Sequence, residues 1–300
     1  MPVRIVRENE SEPSLREVLP VYLSDLATRA SGEHFRTTSR QLKRITASVK
    51  TAHPLEVLRY REKRLGVKKR PSNRTVNMEV CALRAMLNWA VDSGIIESHR
   101  LDRIKSLPQR SGDLKRKPHA LTDDEIGRFL AASVTMDRNR DVPQTPLWRL
   151  LLETGIRWGD ALALTPENVH GDALYILAEQ TKGREGRTIP LPPGLAGEID
   201  LPFRTPTGKH WTHRNEKNAR RMLRAALKRA GIARVDPAGR RVYVHALRAT
   251  AASTMFRRGA RLPSVARMLG HADPAFTAKH YLPPDFDALQ EEMGRVWTRR

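Results

Sequence analysis

The sequence predicts a mainly α-helical chain with a small β-hairpin or sheet, divided into two domains. Three observations carry this. Apolar residues recur at helical spacing through most of the 300 residues. Two short strand-like runs, ALYILA at 173–178 and RTIPL at 187–191, flank the loop EQTKGREG, a β-hairpin with Gly at its turn. One stretch at 108–119, PQRSGDLKRKPH, holds two prolines, a glycine and four Lys or Arg residues without periodicity, and reads as a linker.

The elements follow in order. Residues 1–13 are read as a disordered N-terminus. In SLREVLPVYLSDLAT (14–28), Leu15, Val18, Leu19, Tyr22, Leu23 and Leu26 share one helical face, and Ser14 is the expected N-cap. Two shorter amphipathic stretches cover 36–50 and 54–65, followed by the basic turn LGVKKRPSNR. Residues 74–93 carry Val76, Val80, Leu83, Leu87 and Trp89/Ala90 on one stripe, with Gly94 ending the helix. Residues 14–107 therefore form a small all-helical domain, and 120–300 a second one. The second opens with LTDDEIGRFL, where Thr122 and Glu125 make a capping box. Residues 147–164 are helical with a break at TG. Residues 213–230 put Arg220, Arg224 and Lys228 on one face and Leu223, Leu227 and Ala230 on another. Three short helices at 245–258, 263–270 and 274–281 are divided by Gly259 and Pro263.

Composition narrows the function. Lys plus Arg number 54 against 33 Asp plus Glu, a formal net charge of +21. Such an excess suits a polyanionic partner, most often nucleic acid. Aromatic residues are only 5%, too few for the stacking platforms of a single-strand or RNA binder. Cys81 is the sole cysteine, which excludes an intramolecular disulfide and a Cys-rich zinc site. No secretory h-region is visible in MPVRIVRENESEPS, and no run of about 18 apolar residues exists to span a bilayer. A cytoplasmic location is expected.

Four segments of the second domain hold polar residues that helix packing does not require. They are TGIRWGDALAL with Arg157, QTKGREGRTIPL with Lys182, HALRAT with His245 and Arg248, and LGHADPAFTAKHY with His271 and Tyr281. Singly, each is ordinary: a helix-start Arg is usually an ion pair, a hairpin Lys solvated, a lone His or Tyr packed. In this order and context they resemble the catalytic domain of the tyrosine recombinase (phage integrase) family. The four segments match its T-G-x-R-x-x-E-x-x-x-L, T-K-x…R-x-[IV]-P-L, H-x-L-R-x-T-x-A-[ST] and L-G-H…T…Y patterns. RTVNMEVCALRAMLNWAVDSGII resembles the last long helix of the family's N-terminal core-binding (SAM-like) domain. Asp160 stands where many relatives carry Glu, a residue that supports the first Arg.

The resemblance implies site-specific DNA recombination through a covalent 3′-phosphotyrosyl intermediate. Phosphoryl transfer is catalysed largely by positioning and charge stabilisation. Arg157 and Arg248 would clamp the nonbridging oxygens with paired donors. Tyr281 would be the nucleophile. A free tyrosine has a pKa near ~10 and needs a base, for which His245 is the candidate. Lys182 would protonate the departing 5′ oxygen and His271 would hydrogen-bond the phosphate. No metal and no cofactor are expected, in keeping with the lack of an acidic cage and of a G-x-x-x-x-G-K-[ST] loop.

The expected partner is double-stranded DNA, gripped by the two domains as a clamp. Arg220, Arg224, Lys228 and the turn Lys68, Lys69, Arg70 are candidate backbone contacts. By the same resemblance the chain would be a monomer or weak dimer when free and a homotetramer in the synapse, helped in some systems by DNA-bending proteins. An amphipathic tail at 285–297 either docks on a neighbouring protomer or packs on its own domain. Two rival functions share these motifs in part: a type IB topoisomerase-like or telomere-resolving strand transferase, and a non-catalytic DNA-binding accessory protein.

Overall fold

The computed structural model describes residues 13–110, 118–180, 186–211 and 216–281. The expectations for the N-terminal tail, for most of the linker, for Lys182 and the hairpin tip, and for the 285–297 tail fall outside these residues. The chain divides into two compact units, Met1–Lys115 and Arg116–Arg300.

Unit 1 is helical. Its helices are α1 (Leu15–Arg29), α2 (Gly32–Thr46), α3 (Pro54–Leu65) and α4 (Asn73–Asp92). Helix α1 begins where Glu17 accepts hydrogen bonds from the Ser14 N–H at 2.7 Å and hydroxyl at 2.8 Å. Helix α4 ends before Gly94, whose φ of 70° reverses the chain. Leu15, Val18, Tyr22 and Leu26 of α1 are buried with Val80, Leu83, Met86 and Leu87 of α4. Leu19 and Leu23 lie at the margin of this core. At its polar edge Glu79, 1% exposed, accepts from the Tyr60 hydroxyl at 2.6 Å and from Arg44 and Arg64, each at 3.2 Å. Lys68, Lys69 and Arg70 are exposed after α3.

Unit 2 is α+β. It contains α5 (Asp123–Asp137), α6 (Thr145–Thr154), α7 (Trp158–Leu162), β1 (Val169–His170), β2 (Ala173–Ile176), β3 (Arg187–Pro190), α8 (Leu195–Glu198), α9 (Glu216–Arg229), α10 (Ala246–Arg257), α11 (Leu262–Leu269) and α12 (Pro274–Tyr281). The expected capping box opens α5: Thr122 Oγ1 accepts from the Glu125 N–H at 3.2 Å, and Glu125 returns the bond at 2.9 Å. The sheet is antiparallel in the order β1-β2-β3, with Leu174 opposite Ile189 and Ile176 opposite Arg187. Strand β1 is too short to leave a periodicity in the sequence. Pro263 lies in the first turn of α11 and so starts that helix rather than dividing it from its neighbour.

Helix α10 runs through the middle of unit 2, with every residue from Ala246 to Thr254 buried. Its alanines and serine let α6, α11 and α12 pack closely around it. The entry to unit 2 is fastened to its interior. The His119 N–H donates to the Arg241 carbonyl at 3.2 Å, and the Leu121 N–H donates to Thr250 Oγ1 of α10 at 3.0 Å. The His119 ring lies between Glu125 at 3.0 Å and Asp236 at 3.2 Å.

Candidate active site

Two glycine turns bring the polar segments together. Gly155 ends α6 at φ 67° and Gly270 ends α11 at φ 67°, a backbone state that disfavours side chains. A Cβ on Gly155 would also stand 2.6 Å from Leu269 Cδ2 and 3.2 Å from Ala251 Cβ. The turn after Gly155 leads to Arg157 at the N-cap of α7, and the turn at Gly270 leads to His271. Both turns open against the first half of α10, where His245 is the N-cap and Arg248 lies within the first turn.

Arg248 is the hub. It is 2% exposed and donates to the Gly155 carbonyl at 2.7 Å, to the Leu269 carbonyl at 2.5 Å and to His271 Nε2 at 2.8 Å. Among the described residues no carboxylate pairs with it. Burial pushes its pKa down to about 10, Arg157 adds to that, and the neighbouring Tyr281 phenol acts the other way. A buried cation held only by neutral acceptors is costly. An anion arriving at its free edge would relieve that cost.

His271 has a defined tautomer. An arginine can only donate, so Nε2 is the acceptor for Arg248 and Nδ1 carries the proton. Nδ1 then donates to Thr277 Oγ1 at 2.7 Å, and Thr277 is fully buried on α12. Burial, then Arg248 and Arg157, push the His271 pKa down to about 4. Four residues beyond Thr277, Tyr281 presents its ring to His271, stacked at 5.7 Å between centroids and 10° between planes. His245 keeps access to solvent at the rim, and its pKa is lowered by loss of hydration, then by Arg248 and Arg157. Tyr243 also lies near Tyr281, and burial followed by the Tyr281 charge raises its pKa.

Asp160 is buried beneath Arg157. Its Oδ2 is 3.8 Å from Arg157 Nη1 but only 3.2 Å from Arg187 Nη2. The nearer partner is thus not the arginine the sequence paired with it. Arg187 belonged to a quoted motif, but nothing in its spacing signalled burial beside Asp160.

Arg157 lines two clefts. One, of about 290 Å³, is shared with Arg187, Arg267, Gly270 and His271. The other, of about 930 Å³, is walled by Lys217, Arg220, Arg224, Arg234, Arg241, Tyr243 and His245. Arg220 and Arg224 therefore share one basic cleft with Arg157 and His245, while Lys228 is exposed one turn farther along α9 and does not line it. Lys217 escaped the sequence reading although it continues the face of Arg220 and Arg224. Arg234 and Arg241 flank a short turn closed by a bridge between Val235 and Arg241, and nothing local tells that this turn faces α9. Lys68, Lys69 and Arg70 belong to unit 1 and to neither cleft. Among the described residues no cluster of His, Cys, Asp or Glu could hold a metal ion, and no helix is long and apolar enough to cross a membrane.

A family model described as the phage integrase family matches residues 207–287. A tyrosine recombinase of Thermosipho africanus is 28% identical over 233 residues, covering 74% of this chain and 77% of that protein. Among solved structures, a lambda integrase dimer bound to a COC′ core site superposes with a TM-score of 0.68 at 16% identity, covering 92% of this chain and 82% of the other. A lambda integrase tetramer bound to a Holliday junction gives a TM-score of 0.68 at 17% identity, covering 90% and 78%.

Proposed function

We infer the chemistry of this site from the family to which the chain belongs, the tyrosine recombinases (phage integrase family), enzymes of site-specific DNA recombination. One observation carries the assignment of roles. Arg248 meets His271 at 2.8 Å and His271 stacks on Tyr281 at 5.7 Å, so a buried guanidinium, an imidazole and a phenol follow one another in contact.

The substrate is duplex DNA, entering with the scissile phosphate between Arg157 and Arg248. The charge that grows on the nonbridging oxygens is met by these two guanidiniums, placed before the reaction begins. As the phosphate takes over Arg248 Nη2, His271 Nε2 is freed, and with the phosphate's negative charge beside it the ring takes up a proton from water and donates it in a hydrogen bond to the same phosphate. Tyr281 attacks phosphorus, its proton leaving to His245. The 5′ oxygen of the deoxyribose departs with a proton from Lys182, a role that rests on sequence position between β2 and β3. The product is a 3′-phosphotyrosyl ester and a free 5′ hydroxyl. Attack by a 5′ hydroxyl on that ester restores the phosphodiester and the phenol, so the exchange is energetically neutral without ATP. The basic cleft lined by Arg220, Arg224, Arg234 and Arg241 is read as the track for flanking phosphates. A homotetramer on the exchanging duplexes is proposed from the likeness to the lambda integrase tetramer.

Tyr281→Phe tests the reading. Covalent protein–DNA adducts, trapped in detergent, are expected to vanish while duplex binding stays intact. An adduct formed by the variant would reassign the nucleophile, with Tyr243 first in line because it neighbours Tyr281.

A further inference from the structure

Arg187 has no step in the chemistry above, yet it lies inside the site. Its side chain is only 8% exposed. It sits on β3 opposite Ile176 and shares the buried face of that strand with Ile189, a face on which an apolar residue would be expected. One nitrogen donates to Asp160 at 3.2 Å, and Nε finds no acceptor among the described residues. The guanidinium also packs against the bare Cα of Gly270. A Cβ there would stand 2.5 Å from Nη1, 2.8 Å from Cζ and 3.0 Å from Nε. Arg187 thus touches the carboxylate beneath Arg157 on one side and the turn that delivers His271 on the other. Burying a guanidinium is costly, and the one carboxylate beside it among the described residues is shared with a second arginine. Burial lowers its pKa and Asp160 offsets part of that, the pattern of an under-neutralised cation.

We propose that Arg187 is a positioning residue that fixes Asp160 under Arg157 and sets the Gly270–His271 turn against Arg248. The proposal rests on reading the site as a phosphodiester clamp. It explains why a glycine precedes His271: besides its positive φ, any side chain at 270 would evict the Arg187 guanidinium. It also gives Asp160 its task, because a carboxylate nearer to Arg187 than to Arg157 acts as a bridge between the two.

The test uses the full chain with Arg187→Ala and Arg187→Lys. The probe is chromosomal DNA of the source organism, lightly nicked so that cleaved strands dissociate and adducts accumulate. Filter retention of the same DNA measures binding. Misplacing reacting groups by about 1 Å costs about 100-fold in rate, so Arg187→Ala is expected to slow adduct formation by ~100-fold with retention unchanged. Arg187→Lys keeps the charge without the planar fork and is expected to stay well below wild type. Gly270→Ala is then made in both the wild-type and the Arg187→Ala backgrounds. Its loss in melting temperature should be smaller where Arg187 is absent, since only the φ strain remains. Wild-type rates in Arg187→Ala, equal losses of binding and cleavage, or additive melting losses overturn the proposal. If Arg187→Ala does not fold, full activity of Arg187→Lys overturns it instead. Absence of adducts with the wild-type chain would instead defeat the phosphodiester reading, and the melting cycle would still decide whether Arg187 and Gly270 are coupled.

Discussion

Among the described residues, each unit has an ionic cluster built on a nearly inaccessible charge, and these two clusters are opposite in kind. In unit 1 the most deeply buried ion is a carboxylate. Glu79 is saturated by Tyr60, Arg44 and Arg64, and the two arginines keep 50% and 21% of their side chains exposed. Its hydrogen bond and burial hold the Tyr60 hydroxyl far above the usual tyrosine range. Nothing there is left to bind. In unit 2 the deeply buried ion is a guanidinium. Among the described residues, Arg248 has carbonyls, an imidazole and the Tyr281 phenol for company but no carboxylate, and Asp160 is divided between Arg187 and Arg157. A buried charge whose partners are complete supports the fold, and one whose partners fall short of neutrality marks a ligand site.

Four expected outcomes would break or sharpen that contrast. The largest concerns Arg248→Ala. Losing one preorganised donor to a developing oxyanion costs about 10²–10³-fold in rate. Adduct formation should fall by that factor with much less change in duplex affinity, and equal losses would reduce Arg248 to an affinity residue. Next, Glu79→Ala leaves the Tyr60 hydroxyl without its acceptor and should destabilise unit 1 by about 2–3 kcal/mol. Hydrogen exchange followed by mass spectrometry should show the loss in α2, α3 and α4. An equal loss in α10 would mean that the clusters are not separate.

The third outcome concerns salt. If the basic cleft follows a duplex backbone through at least ~6 phosphates, log K against log salt should slope more steeply than about −5. Neutralising Lys217, Arg220 and Arg224 together should flatten it by up to ~3 units, equally on cognate and random DNA. Lys228→Ala should leave the slope as it was, and a change there would extend the track along α9.

The smallest outcome concerns pH. His271 is pushed down to about 4 in the folded protein from a reference value of 6.5. Between those values the unfolded chain binds more protons than the folded one, so the stability held by neutral His271 is complete above pH 6.5 and is lost as pH falls toward 4. The melting temperature should decline over that window, and His271→Asn should lessen the decline. A decline unaltered by the substitution would assign it to other groups.

The parts of this molecule that could be read from sequence are those fixed by local chemistry. The Thr122–Glu125 box, the α4 stripe and the reversal at Gly94 each depend on a few neighbouring residues, and the structure forms all three. The clustering of Arg157, Arg248, His271 and Tyr281 is legible only through the family resemblance of their motifs, since periodicity alone says nothing about which turns meet. What stayed hidden depends on partners far apart in the chain. The burial of Arg187 requires Asp160, 27 residues away, and Gly270. The basic cleft gains Arg234 and Arg241 from the two sides of the turn VDPAGR, whose Pro and Gly mark a turn without telling what it faces, and it omits Lys228 because a helical face is wider than the groove beside it.

The fastening at the start of unit 2 has a mechanical consequence. A pull on the chain before residue 118 would be borne first by His119, through its bond to the Arg241 carbonyl and its contact with Asp236, and then by Leu121 on Thr250. The first anchorage lies beside a residue lining the basic cleft, and the second on the helix that holds Arg248. Tension in the leading segment is therefore loaded in shear onto the wall of the cleft before it reaches the hub of the site.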